Sequence, residues 1–165
     1  FLTRRELIVL SVLFVGIIFA TKTFGLFESI HGVSRKTWGE IYFPLSLGLL
    51  ALFFLPEHIL SAQFGVLVLG FSDALASIVG IEYGVHGMRI FGHKKSVEGS
   101  LTFFVTTTVL IFAFLTPASF LFIVSAILIA FLLTLVELFS INGLDNLLLP
   151  LLGAFLFQYI LLILR

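Results

Sequence analysis

VLGFSDALASIVGIEYG, residues 68–84, decides how this chain is read. The stretch is apolar enough to lie in a membrane, yet Asp73 stands inside it. An ionisable group within a membrane span is expensive and marks a functional site by default. Gly70, Asp73, Ser77, Gly80 and Gly84 follow one another at intervals of 3, 4, 3 and 4, which predicts one face of a helix. A stripe of small residues also serves close helix contact, with Asp73 paired to a buried cation. That accounts for the glycines and Ser77. Helix contact requires no charge, so Asp73 is the first candidate functional residue.

Working outward, the composition agrees with a membrane reading. Of 165 residues, 60% are hydrophobic and 11% charged, with 21 phenylalanines. Soluble domains run about 45–50% apolar and about 25% charged. This chain therefore requires lipid as solvent. The formal net charge is zero, which gives no reason to expect a nucleic-acid partner. The absence of cysteine excludes disulfides and thiolate metal sites. The chain begins at Phe1 rather than at a methionine, as a trimmed chain would. Its first apolar run, from Leu7, has no small-residue cleavage site after it and reads as a membrane helix rather than a signal peptide.

Six apolar segments can be marked: roughly 6–24, 41–56, 59–84, 101–116, 118–139 and 144–164. A spanning helix takes about 20 residues. Backbone groups in hydrocarbon must be satisfied internally, and no barrel-like alternation is seen. The expected fold is an all-α, polytopic integral membrane bundle of about six transmembrane helices, forming one catalytic domain over 1–165. No internal repeat is found. The loops at 56–58 and 116–118 are very short. Those at about 25–40, 85–100 and 140–145 are longer and fall on one side. That side carries Lys22, Arg35, Lys36, Arg89, Lys94 and Lys95, against Arg4, Arg5 and Arg165 on the other. The bias predicts cytoplasmic long loops.

Further polar residues gather on the long-loop side. Glu137 ends the fifth segment, and Asp145 and Asn146 open the sixth. Helix capping explains one of the latter two; it does not explain the cluster. Arg35 and Lys36 precede the second segment, as interfacial anchors beside Trp38 and Tyr42 or as phosphate contacts. GHKKSVEGS, residues 92–100, offers Lys94 and Lys95 as charges for phosphate, Gly92 and Gly99 for close backbone approach, and Ser96 and Ser100 as donors. Ser100 is also placed to cap the fourth helix, whose N-terminus would attract an anion. Asp73, Glu137 and Asp145 are hard oxygen ligands of the kind Mg²⁺ uses together with substrate phosphates. Phosphoryl transfer needs these parts: cations on phosphate, a metal, and a carboxylate near the attacking hydroxyl. GMRIFGHKKS, residues 87–96, has the glycine spacing of a P-loop, but His93 stands where lysine is required and no strand precedes it, so that reading is rejected. His86 and His93 make a weak zinc pair without further ligands.

SDALASIVGIEYG (72–84), KKSVEGS (94–100) and ELFSINGLDNLLLPL (137–151) together resemble the dolichol kinase, phytol kinase and CTP-dependent diacylglycerol kinase family; RKTWGEIYFP (35–44) resembles the segment before an early helix of its members. The likeness covers roughly 34–151. The family is more distantly similar to phosphatidate cytidylyltransferases. The resemblance implies a polytopic enzyme that phosphorylates the hydroxyl of a membrane lipid, with CTP as donor and a divalent metal, Mg²⁺ or another. By position it implies catalytic roles for Asp73, Glu98 and Asp145, and metal contacts for Asp73, Glu137 and Asp145. It implies nucleotide contacts for Lys95, Ser96, Gly99, Ser100 and Asn146, to which the residue reading adds Lys94, Arg35 and Lys36. Ser72 stands where the family often has glycine. The basic, His-containing segment that often precedes the family's first helices is not found, which points to residues missing before Phe1. The expected partners are the bilayer, a lipid alcohol and a nucleoside triphosphate. Two rivals stand beside this reading: a cytidylyltransferase, which would release pyrophosphate rather than CDP, and a small transporter with Asp73 as an ion site near the midplane.

Overall fold

The computed structural model describes residues 3–24, 38–116 and 119–163. The chain is an all-α polytopic membrane bundle with one small hairpin. Its helices are α1 (Arg4–Thr23), α2 (Gly39–Phe54), α3 (Ile59–Leu67), α4 (Ala74–Glu82), α5 (Val97–Phe114), α6 (Phe120–Phe139) and α7 (Asp145–Ile163). A π-helical turn, Val68–Asp73, joins α3 to α4, making one continuous span from Ile59 to Glu82. Five helices are long and apolar enough to cross a membrane, and α2 is a shorter apolar sixth.

α7 is the centre of the bundle. It packs against α2, α3, α6 and the π turn, while α5 is held between α4 and α6. The aromatic core lies toward the short-loop end. There Phe64 of α3 stacks on Phe157 of α7 at 4.4 Å between ring centroids, and Phe114 closes edge-on against both. Gly65 lets α3 approach α7 backbone to backbone, since a side chain there would strike the Pro150 carbonyl. The other end is joined by small and polar residues. α1 is peripheral and packs on α2, where the Ser11 hydroxyl donates to the Pro44 carbonyl beside Gly48. Pro44 and Pro150 both lie inside continuous helices.

Three local expectations are corrected. Residues 85–100 are not a plain loop: Gly87–Ile90 (β1) and His93–Ser96 (β2) pair antiparallel, with Arg89 opposite Lys94 and Met88 opposite Lys95. The fourth span starts at Val97 rather than at 101, and its cap is Ser96, whose hydroxyl accepts the Gly99 N–H at 3.1 Å, not Ser100. The stripe Gly70–Gly84 is not one packed face. The π turn takes up an extra residue, so α-helical spacing does not carry across it. Gly70 is open, with nothing near it, and Ser77 is exposed, whereas Gly80 and Gly84 meet Ser96.

Candidate functional site

The Ile59–Glu82 span has 24 residues, about 36 Å of helix. A bilayer core is about 30 Å thick, so this span is long enough to cross it, and the hairpin follows directly on α4. Chain alternation brings this end, the start of α2, the end of α6 and the start of α7 to one side. Two hydrogen bonds tie these ends together. Trp38 N–H donates to Asn142 O at 3.1 Å, and the Lys95 ammonium donates to Glu137 O at 3.1 Å. The turn between α6 and α7 reverses through Asn142 and Gly143, with φ of 54° and 84°. Gly143 is required there, because a side chain would meet Gly39 at 2.6 Å. Asn-Gly suits such a left-handed turn, a signal that sequence reasoning passed over.

Asp73 ends the π turn, half-buried, and feels the charges of Asp145, Glu137 and Lys95. Glu137 is buried, at 5% exposure. Its Oε1 is bonded by the Lys95 ammonium, and its Oε2 is buried without a hydrogen-bond partner among the described residues. Asp145 is the first residue of α7 and accepts the N–H of its neighbour Asn146 at 2.9 Å, which is not a capping bond across the first turn. Among the described residues, the Lys95 ammonium bonds Glu137, and neither Asp73 nor Asp145 has an ion pair.

Among the described residues, no three His, Asp or Glu side chains form a ready-made metal cage. The donor set nevertheless fits Mg²⁺, which keeps several waters and is held by one or two carboxylates together with substrate phosphates. The orphaned Glu137 Oε2 is the group that such an ion would satisfy.

Strand alternation separates the two lysines, because successive side chains on a strand point to opposite faces. Lys95 faces inward to Glu137, while Lys94 is exposed beside Arg89. Glu98 is turned to His86, its carboxylate 2.7 Å from Nδ1 and accepting the His86 N–H at 3.2 Å. Val97 N–H donates back to His86 O at 3.1 Å. The hairpin is therefore clamped at its base onto α5. Gly99 is buried, and a side chain there would meet Ala76 O at 2.9 Å, so it serves the close contact of α4 with α5. The Ser100 hydroxyl is buried without a partner. Arg35 and Lys36 lie outside the described residues. Sequence reasoning missed the role of His86, which only the folding of the hairpin back onto α5 brings to Glu98.

No family model and no solved structure matches the chain. Among curated proteins, it is 34% identical over 131 residues to a phytol kinase of Synechocystis sp., covering 76% of this chain and 56% of that protein. It is also 34% identical over 121 residues to an uncharacterised protein of Methanocaldococcus jannaschii, covering 73% of this chain and 58% of that protein. The chain thus spans a little over half the length of these relatives.

Proposed function

The chain belongs to the phytol kinase and polyprenol kinase family, and from that premise we propose that it is a lipid alcohol kinase. It transfers the γ-phosphoryl group of CTP to the hydroxyl of a membrane isoprenoid alcohol of the dolichol, phytol or geranylgeraniol type, or of diacylglycerol. The observation that carries this reading is that Asp73, inside a membrane span, feels the charges of Asp145, Glu137 and Lys95, which lie where the spans pass into the loops. A lipid hydroxyl anchored by its apolar body and a water-borne triphosphate can meet only at such a boundary.

In this reading the lipid oxygen forms a bond to the γ-phosphorus, and the bond from that phosphorus to the bridging oxygen of CDP breaks. The hydroxyl proton passes to Asp73 or Asp145. Lys95 gives its ammonium to the phosphates. Glu137, Asp73 and Asp145 are the residues that would hold Mg²⁺, which supplies neutralisation of phosphate charge. Asn146 and Ser100 offer polar groups to the nucleotide. Glu98 acts at one remove, through His86, by fixing the hairpin that carries Lys95.

The test uses the full chain in detergent with Mg²⁺ and γ-labelled CTP, offered a panel of lipid alcohols. Label is expected in the lipid phase for one class of alcohol. Asp73→Asn is expected to lower the rate roughly 100- to 10,000-fold, as loss of a proton acceptor does, without unfolding the protein. Pyrophosphate release with a phosphorylated lipid would replace the kinase by a cytidylyltransferase. Neither signal from folded protein would overturn the enzyme reading.

A further inference from the structure

The outward face of the hairpin has no part in the site just described. Arg89 and Lys94 are directly opposed across β1 and β2, both are exposed, and neither has an acidic partner among the described residues. Like charges placed directly opposite destabilise a strand pair, so the arrangement calls for an external anion. The tip of the hairpin is equally out of place. Phe91 and Gly92 form the two-residue turn, with φ of 48° and 84°. Left-handed φ at both positions suits Asn-Gly or Gly-Gly; a phenylalanine there is held against its backbone preference. Its ring touches Phe139 at 6.4 Å between centroids, yet Phe91 remains 73% exposed. Val85, at the base of the hairpin, is 82% exposed. In water these two apolar side chains would be a liability. Cations beside exposed aromatic and aliphatic side chains are the pattern of an element lying in a membrane interface.

We propose that the hairpin is an interfacial anchor for anionic phospholipid, Arg89 and Lys94 contacting headgroup phosphates while Phe91 enters the acyl boundary. The same strand then serves two surfaces: Lys94 faces the bilayer and Lys95 faces the acidic site. Docking would fix the height of Lys95 above the membrane. The proposal does not depend on the kinase reading, because its readout is hairpin depth rather than turnover.

The chain has no cysteine, so Phe91→Cys provides a single labelling position for an environment-sensitive fluorophore. The labelled full chain is placed in nanodiscs of phosphatidylcholine alone, or with about a third phosphatidylglycerol. The expected result is a blue shift and quenching by brominated acyl chains, stronger in the anionic discs and reduced by salt. Each cation near an anionic surface contributes about 1 kcal/mol, a factor of about five. Lys94→Gln is therefore expected to lower docking about fivefold and Arg89→Gln similarly, with Lys94→Arg restoring it. These exposed positions carry little risk to folding. Equal signals in neutral and anionic discs would overturn the proposal. So would a probe response to CTP in neutral discs that Lys94→Gln abolishes, which would return this face to the nucleotide site.

Discussion

At the residue scale, the energetics of the site turn on the Lys95–Glu137 pair. Both side chains are largely buried, at 20% and 7% exposure. Removing one partner of a buried pair leaves an uncompensated charge and costs about 3–5 kcal/mol, whereas replacing both by apolar groups is often neutral. Glu137→Leu is therefore expected to lower the thermal unfolding midpoint in detergent sharply, and Lys95→Met with Glu137→Leu to recover most of the loss while leaving no activity. Thr107 predicts the opposite sign. Thr102, Thr106 and Thr108 each bond a carbonyl of their own helix. The Thr107 hydroxyl, on the fully buried side of α5, bonds nothing. Thr107→Val removes an unsatisfied group without changing shape and is expected to raise stability by about 1 kcal/mol. A drop in the unfolding midpoint would mean that this hydroxyl has a partner in the working protein.

At the element scale, the π turn sets the direction in which Asp73 points. Val68–Asp73 holds one residue more than an α-helical path requires, and Asp73 is its last member. π-bulges recur at functional sites. Deleting Gly70, which is exposed and where a side chain would meet nothing, offers a way to remove the extra residue. The helix would then continue as α with the flanking segments keeping their faces, while Asp73 and its neighbours in the turn would lose the direction that the π geometry gives them. The expected outcome is an unchanged helical circular-dichroism spectrum with activity lost. Retained activity would show that the turn is not what aims Asp73. Asp73 was legible in the sequence as a charge in an apolar run. The turn was not, because a six-residue change of helical pitch leaves no mark in hydropathy.

At the scale of the whole molecule, the site belongs to one end of the bundle, and the greater number of cations falls on that end. The positive-inside tendency predicts that this end faces the cytoplasm. Single cysteines at His93 and at Glu57, in the otherwise cysteine-free chain, test this with an impermeant thiol reagent. In inside-out vesicles His93→Cys is expected to react and Glu57→Cys to remain protected, and the reverse pattern would invert the topology. The sequence by itself determined that this is a membrane bundle of six apolar helices, and it brought forward Asp73, Glu137 and Asp145, because burying charge in lipid is costly enough to be visible residue by residue. Only the tertiary structure decided how those charges are divided. Pairing of β1 with β2 turned Lys95 inward and Lys94 outward; two adjacent lysines read alike along the chain, and strand alternation separates them. The clamp of Glu98 on His86 and the closeness of Gly99 to α4 were likewise fixed by packing. A sequence motif records which residues are present, while the faces they occupy depend on elements brought together from distant parts of the chain.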